Sequence, residues 1–282
     1  MKNACASLWQ RIKLYPLALL CFSLWGCANY SQYVPASFAD EHTPTAISDP
    51  DQKILLIYNH GSQPEHKKDY CYPNGWTTPT LIKNLSGEKI NGLEIVVYAY
   101  CSPWRFGGYN SILRMGEPKV IKRAKSIEQL IEKFIDNGVA SEHIFLVGHS
   151  AGAWASLLVA RRGNISFNSV IGFAPAFSGK RKSRSEGWWY LRDQQIEYLQ
   201  QASSLHALIY AFESDPYNDV EALKFLRNIN GIVLISTDDM TNIARENNCS
   251  PPSGHRGSFK DCFTQTQLNV ITEYIKQRIT VQ

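Results

Sequence analysis

A three-layer α/β/α architecture, with helices on both faces of a mostly parallel sheet, is the fold class this sequence predicts. Three observations carry it. Apolar runs bounded by turn residues recur along the chain, amphipathic patterns lie between them, and one pentapeptide with two glycines joins a run directly to a small-residue helical stretch. The runs are Ile54 to Tyr58, Leu93 to Tyr98, Ile144 to Val147, Val170 to Phe173, Leu208 to Phe212 and Ile232 to Ile235. They are continuous rather than alternating, as expected of strands covered on both faces. The clearest helical pattern sets Val120, Ala124, Ile127, Ile131, Phe134 and Ile135 on one stripe. Strand alternating with helix implies parallel pairing through right-handed crossovers, with chemistry at the carboxyl ends of the strands.

The amino end reads differently. Lys2, Arg11 and Lys13 precede an apolar core from Leu14 to Trp25, the pattern of an export signal and too short to span a bilayer comfortably. It ends in Leu24-Trp25-Gly26-Cys27, which resembles the lipobox of bacterial lipoproteins. That resemblance implies cleavage before Cys27 and acylation of its thiol; Trp25 departs from the small or aliphatic residue usual there, and a plain cut after Ala28 stays open. Ala28, in place of an aspartate, implies transfer to the outer membrane, with a periplasmic or secreted form as the alternative. The expected layout is a signal over 1–26, an anchor and tether over 27–52 with Pro35, Pro44 and Pro50, and one domain over 53–282. About 230 residues suffice for a substantial core.

Loss of the signal would remove Lys2, Arg11 and Lys13 from 29 basic residues and none of the 25 acidic ones, bringing the net charge from +4 toward neutrality. The clusters Lys122-Arg123-Lys125 and Lys180-Arg181-Lys182-Arg184 are short and broken. They read as solvated faces, so no nucleic-acid partner is expected. Of the 7 cysteines, Cys5 and Cys21 lie in the signal and Cys27 is the candidate for lipidation. The remaining Cys71, Cys101, Cys249 and Cys262 form an even set, readable as disulfides in an exported chain. The favoured pairing is Cys71 with Cys101 and Cys249 with Cys262. No cysteine and histidine spacing resembles a zinc site, and no metal is expected.

The pentapeptide Gly148-His149-Ser150-Ala151-Gly152 follows the run Ile144 to Val147 and opens the helical stretch Ala153 to Arg161. A serine displayed on a strand-to-helix turn needs unusual backbone angles, and residues two before and two after it must lack bulky side chains. Gly148 and Gly152 satisfy that. The helix start aims free N–H groups at the site, Ala151 foremost, where a developing oxyanion would be stabilised. A serine hydroxyl also needs a base held by a carboxylate. Only His206 and His255 follow Ser150. His206 enters a strand at the amino end of the sheet; His255 lies in a glycine-bearing loop after the last strand and is the expected general base. Asp215, just past the run Leu208 to Phe212 and followed by Pro216, is the expected acid, with Glu213, Asp219 and Asp238 as rivals. Asp219 also reads as a cap for a helix from Val220 to Leu226. The turn Asn59-His60-Gly61-Ser62 is the candidate source of a second oxyanion donor, from the N–H of Gly61 or Ser62.

The His60-Gly61 turn, the pentapeptide around Ser150, the strand end at Glu213-Ser214-Asp215 and the Gly254-His255 loop together resemble the α/β-hydrolases. In layout they are most similar to dienelactone-hydrolase-like and related lipase or esterase families. The resemblance spans most of residues 53 to 278, with the family's first antiparallel strands reduced. It implies acyl transfer through an acyl-serine intermediate hydrolysed by water, without metal or organic cofactor. It also places a cap in the segment 176–206, where Trp188 and Trp189 either wall an acyl pocket with His60 or form a buried helix face. Trp104, Phe106 and Tyr109 raise the same question. Ester hydrolysis on a small acyl substrate is the leading reading, with the membrane met only through the Cys27 anchor. A peptidase or amidase using the same residues, and a binding protein on a lapsed hydrolase scaffold, are the alternatives. Reduction is expected to lower the melting temperature by several degrees, since a loop-closing bridge contributes roughly 2 to 4 kcal/mol; thiol labelling that finds all four cysteines free in native exported protein would remove the disulfides.

Overall fold

The computed structural model describes residues 47–62, 77–102, 104, 118–177 and 186–280. The expected signal, Cys27 and most of the expected tether lie outside these residues, as do Cys71, Phe106, Tyr109 and the basic cluster 180–184. Seven strands form one sheet in the order β2-β3-β1-β4-β5-β6-β7. They are β1 (Lys53–Asn59), β2 (Lys89–Ile90), β3 (Leu93–Tyr100), β4 (Ile144–His149), β5 (Ser169–Phe173), β6 (Ala207–Ala211) and β7 (Ile232–Ser236). Every pairing is parallel except that of β2 with β3. All six apolar runs are strands. The two-residue β2 on the edge carries too few residues to show as a run, and it is the one antiparallel strand among the described residues.

Helices fill the connections: α1 (Thr80–Leu85), α2 (Lys119–Asp136), α3 (Ala151–Arg162), α4 (Glu186–Gln200), α5 (Val220–Leu223), α6 (Thr237–Glu246) and α7 (Asp261–Thr280). The two-residue period of β1 divides its side chains between two cores. Leu55 and Ile57 face the layer built by α2, α3 and α4, with Ile127, Phe134, Leu157 and Trp188. Ile54, Leu56 and Tyr58 face the layer of α1, α6 and α7, with Leu81, Met240, Phe263 and Ile271. Central strands are therefore apolar on both sides, whereas β7 closes an edge and leaves Val233 half exposed. Its run of Ile232 to Ile235 looked continuous only because an apolar edge strand has the same composition.

Two corrections to the sequence reading concern helices. The stretch after Asp219 makes one α-turn over α5 and continues as a 3₁₀ helix, Lys224–Asn228, rather than as one helix to Leu226. Arg123, taken with its neighbours as a solvated charge, is 2% exposed. The periodicity explains it: Arg123 stands three residues after Val120 and four before Ile127, on the apolar stripe of α2.

At the head of the sheet, α3 starts so close to the ends of β1 and β4 that neither flanking glycine has room for a side chain. A methyl on Gly152 would lie 2.1 Å from the carbonyl oxygen of Asn59 and 2.7 Å from that of His60. One on Gly148 would lie 2.5 Å from the Ala153 nitrogen. The obstacles are backbone, which cannot rotate away. Gly152→Ala is thus expected to cost about 3 kcal/mol and lower the melting temperature by about 10 °C; a thermal melt indistinguishable from wild type would show that the contact relaxes.

Candidate active site

Ser150 sits between β4 and α3 with φ 56° and ψ −123°. A non-glycine residue there carries about 1 to 3 kcal/mol of backbone strain and persists only where its surroundings over-determine it. They do: the Ser150 N–H donates to the Phe173 carbonyl at 2.9 Å, and the Ser150 carbonyl accepts from Trp154 and Ala176. The serine is 7% exposed, more recessed than the exposed hydroxyl that the sequence pattern led us to expect, because the turn after β1 and the histidine loop fold over it.

Both expected partners reach it. His255 Nε2 lies 2.8 Å from the Ser150 Oγ, and His255 Nδ1 lies 2.8 Å from Asp215 Oδ2. The Asp215 side chain is fully buried, and its other oxygen accepts the Tyr217 N–H at 2.8 Å. With Asp215 as acceptor at Nδ1, the neutral ring carries its proton there and presents the lone pair of Nε2 to the serine hydroxyl. The rival acids are engaged or exposed. Asp219 caps α5 through the Ala222 N–H, Asp238 lies exposed in the first turn of α6, and the Glu213 side chain is exposed.

The two loops that carry acid and histidine are laced together. The Gly254 N–H donates to the Glu213 carbonyl at 2.6 Å. Thr237, the first residue of α6, accepts from the Glu213 N–H at 2.9 Å and donates its hydroxyl proton to the Pro252 carbonyl at 3.0 Å. The Cys249–Cys262 bridge, whose Cα atoms are 5.6 Å apart, then closes the histidine loop on itself. Cys101 is also disulfide-bonded, while its expected partner Cys71 is outside the described residues.

Ala151 occupies the first turn of α3, whose leading N–H groups have no acceptor within the helix. Gly61 approaches the serine from the other side: a methyl on it would stand 3.1 Å from the Ser150 Cβ and 3.1 Å from His149 Nδ1. The candidate donors thus flank Ser150. Of the candidate pocket residues, His60 is buried in the turn beside Gly61, with its Nδ1 2.6 Å from the Gly61 carbonyl oxygen. Trp188 is 1% exposed and packs with Phe177 and Trp189 in the core beneath α4. That is the helix-face arrangement. Trp189 is half buried, with the Arg192 guanidinium 5.8 Å from its ring centre.

Four neighbours were not singled out from the sequence. His149 Nε2 donates to the His255 carbonyl at 2.8 Å. Tyr217 lays its ring 4.2 Å from that of His255, tilted by 39°. Asn218, buried, donates to the Pro175 carbonyl and accepts from Arg192, tying the β5 exit to α4. Thr237 is the clasp described above. His149 lay in plain view inside the pentapeptide and Tyr217 two residues past Asp215, but nothing in the pattern distinguished them from filler.

No protein-family model matches the chain, and no curated protein does. Among solved structures, the chain is similar to a structure from a study of two prolyl endopeptidases, with TM-score 0.52 and 12% identity over 84% of this chain and 36% of that one. It is also similar to Arabidopsis thaliana SOBER1, with TM-score 0.47 and 13% identity over 80% and 97% of the two chains. Est1E from Butyrivibrio proteoclasticus gives TM-score 0.47 and 12% identity over 86% and 91%. At such identities the likeness is one of fold. The mostly parallel, helix-flanked sheet is the α/β-hydrolase fold.

Burial holds the His149 imidazole well below its ordinary 6.5, and the adjacent His255 pushes it the same way. The native chain therefore keeps His149 neutral where the unfolded chain would bind a proton. The stability this represents is present in full above pH 6.5 and is lost as the pH falls below it. Burial also lowers His206, then Arg278, with the same sign. Melting temperatures from pH 8 to 5 are expected to fall less steeply for His149→Gln than for wild type; parallel curves would clear His149 of the effect.

Proposed function

We propose that this chain is a serine hydrolase that cleaves carboxylic esters of modest size through an acyl-serine intermediate. The observation that carries the reading is the hydrogen-bonded series from Ser150 Oγ through His255 to a buried Asp215 carboxylate. In the forward step, Nε2 of His255 takes the hydroxyl proton as Oγ bonds to the ester carbonyl carbon. Negative charge moves onto the carbonyl oxygen, met by the Ala151 N–H and by Gly61 or Ser62. Collapse of this adduct breaks the bond to the alkoxide, which leaves with the proton held on His255. Water then repeats the cycle against the acyl-serine, releasing the acid and restoring the hydroxyl. Asp215 stays ionised throughout, holding the Nδ1–H tautomer and stabilising the imidazolium that forms. Tyr217 presents its ring close to that same imidazole, an arrangement that favours a transient cation.

The same proposal places the enzyme outside the cytoplasm. Its support is the signal-like residues 1–26 and Cys27, and it is strengthened by the Cys249–Cys262 bridge, since such bonds persist in oxidising compartments. A lipid on Cys27 would tether the domain to a membrane through the segment 27–52.

The test is covalent. The full chain, as wild type and as Ser150→Ala, is treated with a fluorophosphonate and weighed by mass spectrometry, then assayed on an activated ester and on the matching amide. Wild type is expected to gain one phosphonyl group and to turn over the ester, and the variant to do neither while melting normally. Equal labelling or equal turnover of the two proteins would refute a nucleophilic Ser150. Failure of folded wild type to react would favour a binding protein on the hydrolase fold, and faster turnover of the amide would move the assignment to an amidase.

A further inference from the structure

Two carbonyl oxygens of the turn after β1 are held from behind by residues outside the serine–histidine–aspartate series. Arg123, buried on α2, donates from Nη1 to the His60 carbonyl at 2.8 Å. Its Nη2 lies 3.4 Å and 3.5 Å from the two ring nitrogens of His60. His60 in turn donates from Nδ1 to the carbonyl oxygen of Gly61 at 2.6 Å, since that oxygen can only accept. A trans peptide is planar, and its C=O and N–H point to opposite sides. Anchoring the His60 carbonyl therefore sets the direction of the Gly61 N–H, and anchoring the Gly61 carbonyl sets that of the Ser62 N–H.

The turn so fixed lies against the reacting serine, as the 3.1 Å approach of a methyl on Gly61 to the Ser150 Cβ shows. Its other side is braced by α3, where the His60 carbonyl lies against Gly152. Core packing alone does not call for an arginine on the apolar stripe of α2. Desolvating a guanidinium is costly, and a methionine would fill similar volume without that cost. What a methionine lacks is a charge-assisted donor able to hold one carbonyl while a second nitrogen rests against the imidazole.

We propose that Arg123 and His60 are positioning residues that orient the Gly61 and Ser62 amides toward the oxyanion of acyl transfer at Ser150. This rests on the acyl-transfer reading above. Arg123 holds the first peptide of the turn directly. His60, wedged between Arg123 and its own neighbour's carbonyl, holds the second.

The test is steady-state kinetics on p-nitrophenyl acetate with the full chain. Wild type and Ser150→Ala are compared with Arg123→Met, Arg123→Lys, His60→Leu and His60→Asn, each checked for folding by near-ultraviolet circular dichroism and thermal melting. Arg123→Met and His60→Leu are expected to lower kcat by about 10- to 100-fold, the scale of a misdirected oxyanion donor, with KM within about twofold of wild type. The pH dependence of kcat should not move, because His255 and Asp215 are untouched. Arg123→Lys and His60→Asn each restore one donor and should recover part of the loss. Folded Arg123→Met and His60→Leu that keep kcat within about twofold of wild type overturn the proposal, as does a loss confined to KM. Should Arg123→Met fail to fold, the contrast between His60→Leu and His60→Asn decides alone, equal rates in those two counting against the assignment. Ser150→Ala separates the two levels. Turnover that survives in it removes the acyl-transfer reading and this proposal together, whereas turnover that depends on Ser150 but ignores Arg123 and His60 removes only this one.

Discussion

The close approach of α3 to the end of β1 is the constraint on which the head of this sheet depends. Gly152 lets the first turn of α3 rest on the carbonyl oxygens of Asn59 and His60, and Gly148 lets the helix fold back over β4. Only with both contacts made does the chain between β4 and α3 turn sharply enough to hold Ser150 at φ 56°. That strain is offset by three backbone hydrogen bonds around the serine and by the cores on either face of the sheet. A packed interior transmits such constraints because it is dense and little compressible. The position of the serine hydroxyl is thus set by helix–strand packing and by very little freedom of its own.

The remaining site residues arrive on loops, and loops must be held. Asp215 and His255 are 40 residues apart in sequence and meet at 2.8 Å. The Thr237 hydroxyl, the Gly254 N–H and the Cys249–Cys262 bridge together hold the two loops at the carboxyl ends of β6 and β7. None of these ties touches the serine. Each reduces the number of arrangements open to the histidine, so that the imidazole is held within reach of both Ser150 and Asp215.

Polar groups buried behind the site follow the same logic. Asn218 bridges the β5 exit and α4, His149 holds the backbone of His255, and Arg123 holds that of His60. Each buries a polar or charged group, which is costly unless its hydrogen bonds are made. Each spends its bonds on a backbone carbonyl of a loop that borders Ser150. The interior at this end of the sheet is consequently a scaffold for loop geometry as well as an apolar core.

Residue pattern alone determined the strands and the serine-bearing turn, because these depend on local periodicity and on glycine at a crowded turn. Asp215 was favoured over Glu213 and Asp219 by its place just past the strand with Pro216 after it, and the fold is what turns it inward while Asp219 caps α5. The place of Arg123 on the apolar stripe of α2 allows its burial, but tertiary structure decided it, since a charged residue there reads as solvated until its helix is seen to lie against the turn after β1. Tertiary structure also decided the half exposure of Val233, because an edge strand and a central one share the same composition. The tilt of Tyr217 over His255, the donation of His149 to the His255 carbonyl and the clasp made by Thr237 join residues 15 or more positions apart or set ring orientations. Such contacts leave no periodic trace in a sequence, because they follow from how strands and helices are packed and not from what any one segment prefers.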